Sequence, residues 1–100
     1  MDIEQARRED ARWKMLRIVD AGRPVGVNEG VIARVLADES SHFTRDDLRR
    51  ELAYLEQLGL IEVGGQEEAE WFVKTTARGV DVVEYTAPAP AGIARPSRRG

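Results

Sequence analysis

Cysteine is absent from this chain, which excludes a disulfide framework and any thiolate metal site. Histidine occurs once, as His42. A metal centre would therefore need carboxylates around that single imidazole, and no helical spacing gathers them. Ser40 and Ser41 beside it have no triad order, and Gly64-Gly65 has no phosphate-loop context. The expectation is a protein that is not an enzyme, with no cofactor and no small-molecule ligand. No apolar run approaches a membrane span and nothing resembles a signal peptide, so a cytoplasmic protein without membrane contact is expected.

The 100 residues suit one small domain able to bury a core without staples. Charge is unevenly spread. Residues 1–86 hold all 18 acids against 12 of the 15 bases, a net −6, whereas residues 87–100 hold Arg95, Arg98 and Arg99 and no acid. A uniformly basic nucleic-acid binder looks different.

Residues Ile3 to Ala21 lack glycine and proline and read as a first helix, broken by Gly22 and Pro24. Ala11, Met15, Ile18 and Val19 share the face that should enter a core. Ala6 and Trp13 fall on the opposite side, where a tryptophan either folds under the chain end or meets a partner. Asn28 is a good N-cap for a second helix, whose stripe is Val31, Ile32, Val35 and Leu36. A polar connection, DESSHF, leads to the most informative segment, TRDDLRRELAYLEQLGL over Thr44–Leu60. Thr44 and Asp47 match a capping box in its acidic variant, and Phe43 with Leu48 forms a staple. Leu48, Leu52 and Leu55 make the core stripe, and Gly59 supplies a left-handed stop. Leu60–Val63 and Trp71–Thr75 are β-prone runs separated by GGQEEAE, a hairpin. Thr76 caps a short last helix carrying Val80 and Val83. From Ala87 onward, APAPAGIARPSRRG has one large aliphatic residue and reads as a disordered basic arm. The predicted organisation is a domain over 1–86 and a tail over 87–100.

The order helix, helix, helix, hairpin, helix predicts an α+β, mostly helical fold with a joint core. The runs LAYLEQLGLIEV and WFVKTTARGVDVV resemble the winged helix-turn-helix pattern of small prokaryotic regulators, carried by Leu52, Leu55, Gly59, Leu60, Ile61, Thr76 and Gly79. That resemblance implies three helices, a two-stranded wing and a short C-terminal helix. TARGVDVVEY followed by GIARPSRRG is similar to the end of a family of small winged-helix proteins of Mu-like transposable phages and prophages. Gly92, Ile93, Arg95, Pro96 and Ser97 fit its tail pattern; Ala94 and Arg98 depart from it. A phage or prophage source in a bacterial host is implied.

On a DNA reader, the third helix would turn its solvent face to base edges. Thr44, Arg45, Asp46, Arg49, Arg50 and Gln57 are the candidates there, with arginine suited to guanine or phosphate and glutamine to adenine. The alternative for Asp46 and Arg50 is an i,i+4 ion pair. Arg95, Arg98 and Arg99 could track phosphates. The wing tip, Gly64 to Glu70, has three glutamates and no base, which suits a solvated loop or a basic protein surface better than a duplex. Ala6, Trp13 and Ile93 are the candidate partner or dimer contacts. Two functions compete: a DNA-binding transcriptional regulator acting through the helix over 44–58, and a protein-interaction module, with an accessory role in phage development or DNA packaging within the second. DNA, a protein partner and a second copy are the partner classes.

Overall fold

The computed structural model describes residues 2–39 and 43–98, without the side chains of residues 38 and 39. His42, Ser40, Ser41 and Arg99 lie outside the described residues.

Asp2 caps the first helix, α1 (Ile3–Ala21), its carboxylate accepting from Gln5 N at 3.2 Å. The helix is buried on more than the face its apolar spacing marks. Ala11, Met15, Leu16 and Val19 are enclosed, but so are Arg12 and Trp13. The cause is position, since α1 packs against every other helix and the sheet. After a turn with a cis Arg23–Pro24 peptide, a two-residue strand β1 (Val27–Asn28) precedes α2 (Glu29–Glu39). Asn28 Oδ1 accepts from Val31 N at 3.0 Å, the expected cap. Ile32 and Leu36 are buried, whereas Val35 is 38% exposed. The expected four-residue stripe is thus narrower, because α2 meets the core along one edge.

The third helix, α3 (Arg45–Gln57), has the capping box read from the sequence. Thr44 Oγ1 accepts from Asp47 N and Thr44 N donates to Asp47 Oδ2, both at 3.1 Å. Leu48, Leu52 and Leu55 are in the core. Gly59 at φ +78° ends the helix, where a side chain would strain the backbone. Its N–H bonds Glu56 O and Leu60 N bonds Leu55 O, which satisfies two orphan carbonyls.

Strands β2 (Ile61–Gly64) and β3 (Phe72–Thr75) form the hairpin, with Ile61 opposite Thr75 and Gly64 opposite Phe72. The sheet is three-stranded and antiparallel, in the order β1-β3-β2, because Val27 and Asn28 pair with Val73 and Phe72. That corrects the two-stranded expectation. The last helix, α4 (Ala77–Val83), is capped by Thr76 Oγ1, which accepts from Gly79 N at 3.0 Å. Its buried residues are Gly79 and Val82; Val80 and Val83 are only partly covered.

Residues 87–98 are not a disordered arm. They return along α1, where Ala94 N donates to Glu9 O at 3.2 Å and Ile93 is 8% exposed. Composition counts one aliphatic residue but misses two other sources of order. Side chains of the body hold the tail's carbonyls: Arg12 binds Gly92 O, Tyr54 binds Ala91 O and Tyr85 binds Pro96 O. In return, Arg95 and Arg98 donate to carbonyls around the end of α4, where helical partners run out.

Candidate functional site

The capped α3 divides into three strips. Its core strip is Leu48, Leu52 and Leu55, with Glu51 among them. Its outer ridge is Asp46, Arg50, Ala53 and Gln57, all exposed, with Thr44 and Arg45 exposed at the N-terminal end. The Arg45 side chain makes no hydrogen bond or ion pair among the described residues, though its charge helps to lower the Glu29 pKa. Asp47 is held below the usual carboxylate range, first by the Thr44 backbone N–H and then by the Thr44 hydroxyl. The cap therefore keeps a full negative charge at this end of the helix.

Arg49 leaves the ridge. Its Nε donates to Glu29 Oε2 at 2.8 Å, its Nη2 bonds Glu29 Oε1 and Ala69 O, and its guanidinium lies 4.7 Å from the centre of the Trp71 ring. Glu29 is 2% exposed and also accepts from Trp71 N at 3.0 Å. Hydrogen bonding from Arg49 is the largest influence on its carboxyl, and it lowers the pKa against the opposing effect of burial. A guanidinium used in this way joins α3 to α2 and to the hairpin, so Arg49 is withdrawn from the base-reading role expected of it.

Arg50 pairs with Asp47, three residues back, rather than with Asp46, and its Nε also reaches Glu51 Oε2 at 3.3 Å. Glu51 is fully buried and gathers two further arginines from α1: Arg12 Nε at 2.7 Å and Arg8 Nε at 3.2 Å. Arg12 also stacks 3.8 Å from the Tyr54 ring centre. Arg8 and Arg12 read as ordinary surface charge in the sequence. The signal that finds them is Glu51 itself, which falls inside the leucine stripe and so requires a buried cation. Between α1 and α3 an open groove of about 440 Å³ is lined by these arginines, Tyr54 and Gln57, together with Glu51 and Glu56.

The remaining candidates do not join the ridge. Arg95 bonds Val82 O and Ala87 O and lies 4.2 Å from the Tyr85 ring centre; Arg98 bonds Glu84 O. Trp13 is 6% exposed and meets Tyr85 edge-on with centroids 6.3 Å apart. Trp13 therefore takes the first of its two expected places, under the end of the chain, and Ile93 is buried against the chain itself, which corrects its expected place on a partner surface; Ala6 is exposed. The hairpin tip is exposed and acidic at Glu67, Glu68 and Glu70.

Compared with protein families, curated proteins and solved structures, the chain gives no match. Among the described residues no helix is long and apolar enough to cross a membrane, and no group of three or more histidines and carboxylates is placed to hold a metal ion.

Proposed function

We propose that the chain is a winged helix-turn-helix protein that binds duplex DNA through α3 and acts as a transcriptional regulator. The observation that carries this reading is the exposed ridge of α3, with Arg45, Arg50 and Gln57 turned away from a fully used apolar face. A helix seated in that manner is shaped to enter a major groove. Arginine there suits guanine edges or phosphate, and glutamine suits adenine. The helix order and the strand order β1-β3-β2 are consistent with that frame. The resemblance read in the last residues of the sequence would, if it holds, make phage or host operator DNA the target.

A gel shift with fragments of such operators at low salt tests the proposal. Wild-type protein should bind. Gln57→Ala should relax the preference at one base position, and a mismatch of that kind costs about 1–3 kcal/mol. Failure of the wild type to bind any duplex would sink it.

The acidic hairpin tip favours a second reading, a protein-interaction module whose wing meets a basic partner surface. Pull-down with wild-type protein and with a Glu67→Gln/Glu68→Gln/Glu70→Gln variant tests that reading. A partner held equally by both forms would exclude the wing as its contact.

A further inference from the structure

The two flanks of α3 carry different sets of charged side chains. On the hairpin side lie Glu29, already paired with Arg49, and the exposed glutamates of the tip. On the α1 side Arg8, Arg12 and Arg50 gather on the buried Glu51, and two more carboxylates there have partners of their own: Asp47 pairs with Arg50, and Glu56 accepts from Val63 N at 2.8 Å. Arg8 and Arg50 both direct Nε to the same oxygen, Glu51 Oε2, at 3.2 and 3.3 Å. Glu51 thereby holds two like charges close together, with their side chains 38% and 54% exposed at the mouth of the groove. The terminal nitrogens of Arg8 make no hydrogen bond among the described residues. Arg50 commits Nη2 to Asp47, and its Nη1 has no such bond. Donors fixed in direction, unspent and facing solvent form a built receptor for a tetrahedral oxyanion.

We infer that the groove between α1 and α3 is a phosphate subsite, with Arg8 and Arg50 as its ligands and Glu51 and Arg12 as the residues that position them. The inference rests on DNA binding through α3 and refines it: the backbone phosphate is taken on the α1 flank, while the acidic wing stays off the duplex. Arg8 belongs to neither the ridge nor the wing, so its role can be separated from base reading.

Full-length protein is titrated into a labelled duplex of arbitrary sequence over 50–200 mM salt, by fluorescence anisotropy. Removing one phosphate contact should reduce the slope of log affinity against log salt by about 0.9. Arg8→Ala should show that loss, with weaker binding to every sequence. Arg17→Ala, an exposed arginine elsewhere on α1, should not, and Glu67→Gln/Glu68→Gln/Glu70→Gln should bind at least as tightly as wild type. Circular dichroism melts confirm that each variant folds, and Arg50→Ala gives a second test of the subsite. A second arm follows the arginine Nε–H signals by NMR while inorganic phosphate is added; Arg8 and Arg50 should shift saturably. If Arg8→Ala and Arg50→Ala keep the wild-type slope while Gln57→Ala alters sequence preference, the subsite is wrong and DNA binding stands. If no duplex binds yet phosphate shifts both arginines, the subsite stands for a free phosphorylated ligand and the DNA reading falls. If neither duplex nor phosphate is bound, both are overturned.

Discussion

Arg49 and Glu29 lie twenty residues apart in sequence and share a two-pronged ion pair that ties the first turns of α3 and α2 together. The same carboxylate accepts the Trp71 backbone N–H, so one buried acid fixes two helices and the end of the hairpin. Its pKa is held below the ordinary glutamate value, chiefly by hydrogen bonding from Arg49. The sign of the pH effect follows. A carboxylate depressed in the folded state stabilises fully above its unfolded pKa, and that stabilisation is lost as pH falls through the folded value. Wild-type stability should therefore decline below about pH 4.5. Glu29→Gln should cost about 2 kcal/mol at neutral pH, as for a hydrogen bond to a charged group. Urea denaturation at pH 7 and pH 3 checks both, and the difference between wild type and variant should shrink at the lower pH. A constant difference would remove Glu29 as the titrating group.

The capping box gives a second expected outcome. Thr44→Ala should destabilise by about 1 kcal/mol, because Asp47 N loses its acceptor. Asp47 returns a bond to the Thr44 backbone, so Thr44→Ala and Asp47→Ala share one motif. Their effects should be less than additive in a double-mutant cycle. Additive losses would show two independent contributions and no reciprocal cap.

Ile93 supplies the third. It belongs to the same core cluster as Trp13, beside Ala94, whose N–H bonds Glu9 O on α1, and Ile→Ala at such a site costs about 2–5 kcal/mol. Ile93→Ala, or removal of residues 88–98, should lower the urea midpoint and shift tryptophan emission to the red as Trp13 meets water. Unchanged stability after the truncation would mean that the tail adds nothing to the fold.

What the sequence made legible was local. The bounds of α1, the Asn28 and Thr44 caps, the Gly59 stop and the Thr76 cap each depend on residues within a few positions of one another, and each is found. What it hid was non-local. Strand β1 is two residues long and exists only because β3 passes beside it, some 45 residues downstream. Arg49 has the helical phase of a solvent-side residue until Glu29 and Trp71 draw it to the flank. Three of the four tail arginine-and-aliphatic candidates, Ile93, Arg95 and Arg98, were placed by pattern on an arm, yet their partners are α1, α4 and Tyr85. Glu51 carried a usable signal that the sequence reading passed over: a carboxylate within a leucine stripe requires a buried cation.

Arg12 and Glu51 allow fold and function to be separated. The pair is 2.7 Å apart with side chains 9% and 0% exposed. Breaking such a pair from one side leaves a buried charge and costs about 3–5 kcal/mol, whereas replacing both partners with apolar residues of similar size is often neutral. Glu51→Leu alone should therefore destabilise strongly, and Arg12→Met/Glu51→Leu should recover most of the loss in thermal or urea unfolding. The recovered protein would lack the oxygen that holds Arg8 and Arg50 together. If Glu51 positions those guanidiniums, the double variant should fold well and still show a shallower salt dependence of duplex binding than wild type. A double variant that recovers stability and retains the wild-type salt slope would confine the Arg12–Glu51 pair to the fold.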